Sequence, residues 1–404
     1  MNQALLQRLQ RTGPKHILSC DGGGIRGLMS VEVLARLEAG LRERFGRPEM
    51  VLADFFDFVC GTSTGAIIAA CVSAGMSTAQ IRRFYVDSGA QMFDKASLLK
   101  RLRYSYNSEP LALLLRREMN RALGHADNAP PATLGDPGLK SLLLMVMRNH
   151  STDSPWFVNN HPLAKYNAAA RPDSNLKLPL WQLVRASTAA PTFFPPEVVV
   201  FGEGSEREYT FVFVDGGITG YNNPAFLAFE MATAAPYQLG WATGPDALLI
   251  VSVGTGKVPL ERRDDEAGDL HLLAHAQTLP LALMNAATDG WDLACRTVGA
   301  CRFGAPIDRN VGAMQQGTSA PATSSNPKLF SYVRYDPLLT REGLDALGLR
   351  SLHPARVQQL DAVANIPDIQ QVGVAYAAQA VDMAHLAPFV PPSAPAKHLS
   401  PAPT

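Results

Sequence analysis

Residues suited to acyl-transfer chemistry fall in three short motifs, and each motif follows an apolar run of sequence. The motifs are Asp21-Gly-Gly-Gly-Ile-Arg-Gly27, Gly61-Thr-Ser-Thr-Gly65 and Asp215-Gly-Gly217. A serine hydroxyl can act as a nucleophile, and an aspartate can take its proton. Consecutive glycines can present several backbone N–H groups to an anion. The elements around each motif decide whether these groups can act together.

The glycine-rich motif lies between a predicted strand, His16–Cys20, and a predicted helix that begins at Gly27. The N–H groups of Gly22–Gly24 can therefore form an anion-binding nest at a helix N-terminus. The motif also satisfies Gly-x-Gly-x-x-Gly, the dinucleotide fingerprint, which needs an acidic residue at the end of a second strand about 20 positions on. The candidates, Glu38 and Glu43, fall inside the predicted helix. A dinucleotide site is therefore not expected.

Ser63 lies at the centre of a Gly-x-Ser-x-Gly motif between the predicted strand Asp54–Cys60 and the predicted apolar helix Ala66–Gly75. The small residues Gly61 and Gly65 permit the sharp strand–turn–helix bend that exposes a nucleophilic hydroxyl. The helix N-terminus also favours negative charge that develops there. The motif alone is compatible with a structural turn, but the flanking strand and helix favour a nucleophile.

Asp215 ends the hydrophobic run Phe211–Val214 and precedes two glycines, Gly216 and Gly217. Ligands of α/β sheets gather at the carboxyl ends of strands. Asp215 is therefore placed where a base can meet the Ser63 hydroxyl, and the glycines leave room for a substrate. Taken alone, the same motif also fits an Asx turn that closes a strand.

The order of the predicted elements favours one fold class. Apolar strand candidates alternate with helical patterns such as Gly27–Phe45, and further strands are predicted at Ser141–Met147, Phe211–Val214 and Ala247–Val253. This alternation predicts an α/β fold with three α/β/α layers and a central, mostly parallel sheet. We expect one catalytic domain over residues 1–387.

Three further segments are distinguished by composition. A basic, helical, lid-like insertion is predicted at about 94–138, a helical part at about 258–387, and a disordered, proline-rich tail at 388–404. The positive residues of the insertion favour either an ordinary solvated face or an amphipathic surface that touches anionic lipid. They are Lys95, Lys100, Arg101, Arg103, Arg116, Arg117 and Arg121.

Composition excludes several classes of protein. The chain has 404 residues, and its 36 Lys+Arg balance its 36 Asp+Glu. A polymeric nucleic acid is therefore not an expected partner, because duplex binders carry a basic excess.

Five cysteines without a CxxC pair indicate a reducing cytoplasm rather than a disulfide scaffold. The first residues lack the apolar run of a secretory signal, and Phe58–Ile81 is too interrupted for a membrane span. We expect a cytoplasmic protein, peripheral to the membrane at most.

Taken together and in this order, the three motifs resemble those of the patatin-like phospholipases. The resemblance extends over His16–Lys257 and includes three further segments. These are Arg185-Ala-Ser-Thr-Ala-Ala-Pro-Thr-Phe-Phe-Pro-Pro196, Asn222-Asn-Pro224 and Ser252-Val-Gly-Thr-Gly256.

The resemblance implies a lipid acyl hydrolase of the phospholipase A type, a serine hydrolase that cleaves carboxylic esters of phospholipids or related acyl lipids. Ser63 and Asp215 would form a catalytic dyad that proceeds through an acyl-enzyme. The N–H groups of Gly23 and Gly24, together with that of Gly22, would form the oxyanion hole. Arg26 would support that loop or face a lipid phosphate. No metal and no cofactor are implied.

Two other functions remain open from the sequence. A Ser-His-Asp esterase of the α/β-hydrolase type would use His271 or His275, although their spacing is that of one helix face. The second is a bacterial anti-phage effector that a cyclic nucleotide switches on. The pocket for this small activator would be formed by Met314–Lys328 and the C-terminal helices. A nucleotide hydrolase is not expected, because Val258 follows Gly254-Thr-Gly-Lys257 where a P-loop needs Ser or Thr. The sequence leaves the oligomeric state open.

Overall fold

Runs of β-branched and aliphatic residues form a sheet at the centre of the molecule. The structure is a computed structural model, and it describes residues 2–92, 109–126, 128–191, 193–259, 272–315 and 327–392. In this part of the chain the sheet has nine strands. They are β1 (Lys15–Cys20), β2 (Phe58–Thr62), β3 (Leu142–Asn149), β4 (Ser154–Asn159), β5 (Glu197–Phe201), β6 (Tyr209–Asp215), β7 (Leu248–Val253), β8 (Ala300–Phe303) and β9 (Ser331–Tyr335).

The strand order is β5-β6-β3-β2-β1-β7-β9-β8, and β4 pairs with β3 outside this path. The neighbours β3–β2, β2–β1, β1–β7, β7–β9 and β9–β8 pair in parallel. The pairs β3–β4, β3–β6 and β5–β6 are antiparallel. The mostly parallel sheet is confirmed. The antiparallel edge was not predicted from the sequence.

Twelve α-helices are assigned in the described residues. They are α1 (Gln3–Gln10), α2 (Gly27–Phe45), α3 (Leu52–Phe55), α4 (Thr64–Ser73), α5 (Thr78–Met92), α6 (Glu109–Ala122), α7 (Leu180–Ser187), α8 (Ala225–Thr233), α9 (Leu272–Val298), α10 (Arg341–Ala346), α11 (Pro354–Val357) and α12 (Ile366–Ala380).

Alternate side chains of the central strands enter two separate cores. Leu18 and Val59 belong to the larger core with α2, α4 and α12, whereas Ile17 and Phe58 belong to the smaller core with α1 and α8. This alternation is the period of two that a strand imposes on its side chains. Because both faces of the sheet are covered by helices, the three-layer prediction is confirmed.

Two boundaries differ from the sequence-based expectation. The predicted strand Asp54–Cys60 begins only at Phe58, because its first residues belong to α3, where the Asp54 carboxylate accepts the Val51 N–H at 3.0 Å. Such a cap stabilises a helical turn in preference to a strand. The part beyond residue 258, predicted to be helical, also contributes β8 and β9, which extend the sheet beside β7.

Some predictions fall outside the described residues. These include Lys95, Lys100, Arg101 and Arg103 of the basic insertion, most of Met314–Lys328, and residues 393–404 of the predicted tail. In the described part of the chain, no helix is both long enough and apolar enough to cross a bilayer.

Candidate active site

Ser63 and Asp215 meet where the carboxyl ends of β2 and β6 adjoin. The Ser63 hydroxyl donates a hydrogen bond to Asp215 Oδ2 at 2.6 Å, although 152 positions separate the two residues in sequence. Ser63 stands between β2 and α4 with φ 55° and ψ −123°, a backbone conformation that non-glycine residues seldom adopt. The sharp bend predicted from the motif is therefore present, and it directs the hydroxyl at the carboxylate.

The topology of β3 explains why the two residues meet. β2 pairs with β3 as far as Thr62 and Val146, and β6 begins its pairing with β3 at Asp215 and Met147. β4 pairs with one side of β3 at these positions. β2 and β6 therefore share the other side of β3, where they lie end to end. Since β6 is antiparallel to β3, the carboxyl ends of β2 and β6 face each other. The residues at these ends are Ser63 and Asp215.

The bend at Ser63 depends on the two glycines of its motif. A Cβ atom on Gly61 would lie 2.0 Å from the Gly65 carbonyl oxygen, and one on Gly65 would lie 2.1 Å from the Cys20 carbonyl oxygen. Backbone atoms cannot move away from such contacts without breaking the strand–helix junction. Gly61 and Gly65 therefore allow β1, β2 and α4 to approach closely, as the motif predicted.

The environment of Asp215 favours a proton acceptor that works near neutral pH. Burial raises the pKa of Asp215 to about 6, whereas hydrogen bonds from the Ser63 hydroxyl and the Gly217 N–H, together with the charge of Arg185, oppose that rise. The Gly217 N–H donates to Asp215 Oδ1 at 2.6 Å, so it fixes the carboxylate while Oδ2 faces Ser63. Gly216 and Gly217 form the 3₁₀ turn that follows β6.

The glycine-rich loop stands beside the Ser63 hydroxyl. Gly23 and Gly24 line the same cavity as Ser63, and Gly24 adopts φ 58°, which glycine tolerates best. The Gly22 N–H instead donates to the Asn222 carbonyl at 3.2 Å, and Gly22 is not among the described residues that line the cavity. The Gly22 N–H is thus already paired within the protein, so Gly23 and Gly24 remain the candidates among the three predicted oxyanion residues.

Arg26 follows the loop and is buried, with 3% of its surface exposed. Burial lowers the pKa of Arg26 to about 10, and the Asp336 carboxylate opposes this shift, so the side chain stays charged at neutral pH. Arg26 is not among the described residues that line the cavity. Of the two roles left open by the sequence, burial favours support of the loop over contact with a lipid phosphate.

A cavity of about 640 Å³ opens at Ser63 and Asp215. Most of the side chains that line it are apolar and come from several different elements. They include Ile67, Leu111, Phe193, Phe194, Leu281, Leu283, Met284 and Leu360. A cavity lined mainly by apolar side chains, with fewer polar groups, suits a ligand with a long hydrocarbon part.

Comparison with known proteins places the chain in a family. Residues 18–229 match the family model described as patatin-like phospholipase, a match that covers more than half of the chain. The chain belongs to the patatin-like phospholipase family. The resemblance predicted from the motifs is thereby confirmed.

Curated relatives align with part of the chain. Patatin-17 of Solanum cardiophyllum is 28% identical over 254 residues, which cover 59% of this chain and 60% of the relative. The Arabidopsis thaliana protein named "Probable inactive patatin-like protein 9" is 28% identical over 268 residues, which cover 63% of this chain and 64% of the relative. The chain thus aligns with about three fifths of the length of these relatives.

Two solved structures of bacterial proteins are also similar. VipD from Legionella pneumophila covers 89% of this chain and 67% of its own, with 13% identity and a TM-score of 0.34. ExoU in complex with SpcU from Pseudomonas aeruginosa covers 70% of this chain and 53% of its own, with 17% identity and a TM-score of 0.32.

The described lining of the cavity does not include the histidines considered from the sequence. Among the described residues that line the cavity of this patatin-like protein there is no histidine. His271 lies outside the described residues, and His275 belongs to α9. In the same part of the chain, no group of three or more His, Cys, Asp or Glu residues is arranged to hold a metal ion.

Sequence reasoning missed the groups that hold the glycine-rich loop in place. The Arg334 guanidinium, on β9, donates to both carboxylate oxygens of Asp21 at 2.9 and 2.6 Å, and both side chains are buried. The Ile25 N–H donates to the Leu360 carbonyl at 2.8 Å. Neither Arg334 nor Leu360 stands in a recognisable motif, and only a three-dimensional structure reveals their contacts.

Proposed function

We propose that the protein is a lipid acyl hydrolase of the phospholipase A type, which cleaves carboxylic esters through a Ser63–Asp215 dyad. The observation that carries the proposal is the 2.6 Å hydrogen bond from Ser63 Oγ to a buried carboxylate at the end of an apolar cavity. Family membership alone is insufficient support, because one relative of similar identity is named as inactive. The proposal therefore rests on the dyad.

In the proposed reaction Ser63 Oγ forms a bond to the acyl carbon while its proton passes to Asp215 Oδ2. The carbonyl electron pair moves to oxygen, where the N–H groups of Gly23 and Gly24 stabilise it. Collapse of this intermediate breaks the ester C–O bond, and the leaving alcohol takes the proton from Asp215. Water then repeats the sequence on the acyl-enzyme and releases a fatty acid.

A lipid substrate is supported by the composition of the cavity. Among its described lining residues, apolar side chains such as Phe193, Phe194 and Met284 outnumber the polar ones, although Arg148 and Asp361 also contribute charged groups. An acyl chain buried against them would gain about 0.8 kcal/mol for each CH₂ group removed from water. The ester carbonyl would then reach the dyad while the hydrocarbon fills the cavity.

Mass spectrometry of a mixed lipid extract tests the substrate class. We expect the wild type to convert phospholipids into lysophospholipids and free fatty acids, and the Ser63→Ala variant to leave the extract unchanged. Turnover should not need an added nucleotide. Hydrolysis of short-chain esters without any change in the lipid extract would contradict a lipid substrate, whereas lipid release by Ser63→Ala would contradict the dyad.

The pH dependence of the reaction tests the proposed base. Asp215 must be ionised to accept the Ser63 proton, and its pKa is raised to about 6. We expect kcat/KM for a short-chain nitrophenyl ester to be level above pH 6 and to fall about tenfold per pH unit below it. An acidic limb near pH 4, the ordinary value for a carboxylate, would contradict a buried Asp215 as the base.

The exposed face of α6 supports peripheral contact with membranes. Leu113 is 60% exposed on this helix, and Arg116 and Arg117 are exposed beside it. We expect the variant Arg116→Glu/Arg117→Glu to bind vesicles with anionic lipid about 30-fold more weakly than the wild type, because each of the two basic residues near such a surface contributes about 1 kcal/mol. Turnover of a soluble ester is the control and should be unchanged. Equal vesicle binding would make α6 an ordinary solvated helix.

A further inference from the structure

The segment Ser187–Ala189 joins the backbones of the two dyad residues. The Ser63 N–H donates to Ser187 Oγ at 2.9 Å, and the Asp215 N–H donates to the Ala189 carbonyl at 3.0 Å. We propose that Ser187 is a positioning residue, which fixes the Ser63 backbone at the distance from Asp215 that the dyad requires. This inference rests on the proposed function and concerns how its site is assembled.

The Ser187 hydroxyl is oriented by its second contact. It donates to the Val146 carbonyl of β3 at 2.5 Å, so its own proton is engaged and a lone pair remains for the Ser63 N–H. Val146 is the β3 residue opposite Thr62, immediately before the position opposite Asp215. One hydroxyl therefore links the bend at Ser63 to the strand along which both dyad residues are aligned.

Burial makes this link difficult to replace. Ser187 has no exposed surface, so water cannot readily take the place of its hydroxyl. Ser63 precedes α4, and its N–H has no acceptor within that helix. Without Ser187 Oγ, a backbone N–H in a conformation rarely adopted by serine would lose its hydrogen bond. The Ser63 backbone would then relax away from the geometry that directs its hydroxyl at Asp215.

The rest of the segment is held independently of Ser187. The Thr188 hydroxyl donates to the Arg185 carbonyl at 3.1 Å, and Arg185 Nη2 donates to the Pro195 carbonyl at 2.9 Å. Arg185 also lies over the ring of Phe194. Loss of the Ser187 hydroxyl should therefore affect the Ser63 end of the link while the Ala189 contact to Asp215 persists.

Comparison of Ser187→Ala with Ser73→Ala tests the inference. Ser73 is the last residue of α4, is also buried and lies away from the dyad. Its hydroxyl donates to the Ser141 carbonyl at 3.0 Å. We expect Ser187→Ala to lower kcat for a short-chain nitrophenyl ester by about 10- to 100-fold with KM within about twofold, because misplacement of a reacting group chiefly affects kcat. Ser73→Ala should keep the wild-type kcat.

A pH profile separates positioning from simple loss of stability. The hydrogen bond from Ser63 opposes the rise in the pKa of Asp215, so its weakening in Ser187→Ala should move the acidic limb of kcat/KM to higher pH. Ser73→Ala should leave the limb in place. If Ser187→Ala does not fold, Ser187→Cys keeps the side-chain volume and weakens both hydrogen bonds. It should lower kcat several-fold and move the limb in the same direction.

Three outcomes would overturn the inference. They are wild-type kcat in Ser187→Ala, equal losses of kcat in Ser187→Ala and Ser73→Ala, and an unshifted acidic limb in a folded Ser187 variant of reduced kcat. Each is measured against an active wild type. Absence of ester hydrolysis by the wild type itself would instead refute the proposed function, so the two failures are distinguishable.

Discussion

Replacement of Asp215 by asparagine is expected to lower kcat for a short-chain nitrophenyl ester by about 10³-fold or more, and Ser63→Ala should abolish turnover. Asparagine keeps the size of the side chain and an acceptor for the Gly217 N–H, which lies 2.6 Å from Asp215 Oδ1. What it removes is the group that can take a proton from Ser63. Steady-state kinetics and thermal unfolding of each variant provide the measurement.

Asp136→Asn is a matched control for Asp215→Asn. Asp136 is also buried, and its Oδ1 accepts the N–H of the glycine two residues on, Gly138, at 2.8 Å. Its Oδ2 likewise contacts a side chain, His125 Nε2, at 2.7 Å. The control loses the same charge in the same local turn but away from the cavity, so its kcat should remain that of the wild type. Near wild-type kcat in a folded Asp215→Asn variant would show that Asp215 is not the base.

The position of Ser63 was predictable because the strand, the two glycines and the helix that position it are adjacent in sequence. β2, the bend at Ser63 and α4 are adjacent, and the glycines on both sides of Ser63 are required by contacts over short range. The predicted start of β2 at Asp54 was wrong, since Asp54 caps α3 and the strand begins only at Phe58. Local propensity gave the type of each element but not its first residue.

The position of Asp215 was predicted for a reason that only partly applies. In a parallel sheet the carboxyl ends of all strands meet at one edge, and Asp215 would reach Ser63 there. β6 is instead antiparallel to β3, and Asp215 reaches Ser63 because β6 and β2 lie end to end. Strand direction at the edge of a sheet depends on pairing between distant segments, so periodicity within one segment cannot determine it.

Arg334→Met is expected to destabilise the protein by about 3–5 kcal/mol and to lower kcat as well. Burial alone would lower the pKa of Arg334, but the carboxylates of Asp21 and Asp336 hold it above its ordinary value, so the guanidinium is charged. Its Nη2 also donates to Asp336 at 2.8 Å. Removal of this cation leaves the buried Asp21, whose pKa burial already raises to about 7, and the half-buried Asp336 without their partner. Removing one partner is the costly way to break a buried ion pair.

The effect on kcat follows from the place of Asp21 at the start of the glycine-rich loop. Asp21 and Gly23 are two residues apart, and the Thr255 hydroxyl donates to the Gly22 carbonyl at 2.9 Å between them. If Asp21 shifts, the N–H groups proposed to stabilise the oxyanion shift with it, and loss of one such donor costs about 10²- to 10³-fold in kcat. Urea denaturation measures the change in stability, and turnover of a nitrophenyl ester measures the change in kcat.

Arg296→Met separates the two effects of Arg334→Met. Arg296 is equally buried and makes a two-point ion pair with Asp292 at 2.9 and 2.7 Å, but its other hydrogen bonds go to the carbonyls of Ala305 and Ala313. Both variants should be less stable than the wild type. Only Arg334→Met should also have a lower kcat after correction for the fraction of protein that is folded. Addition of Asp21→Asn to Arg334→Met should restore part of the stability by removing one unpaired charge. Equal kcat in the two arginine variants would mean that Arg334 stabilises the fold without ordering the loop that faces Ser63.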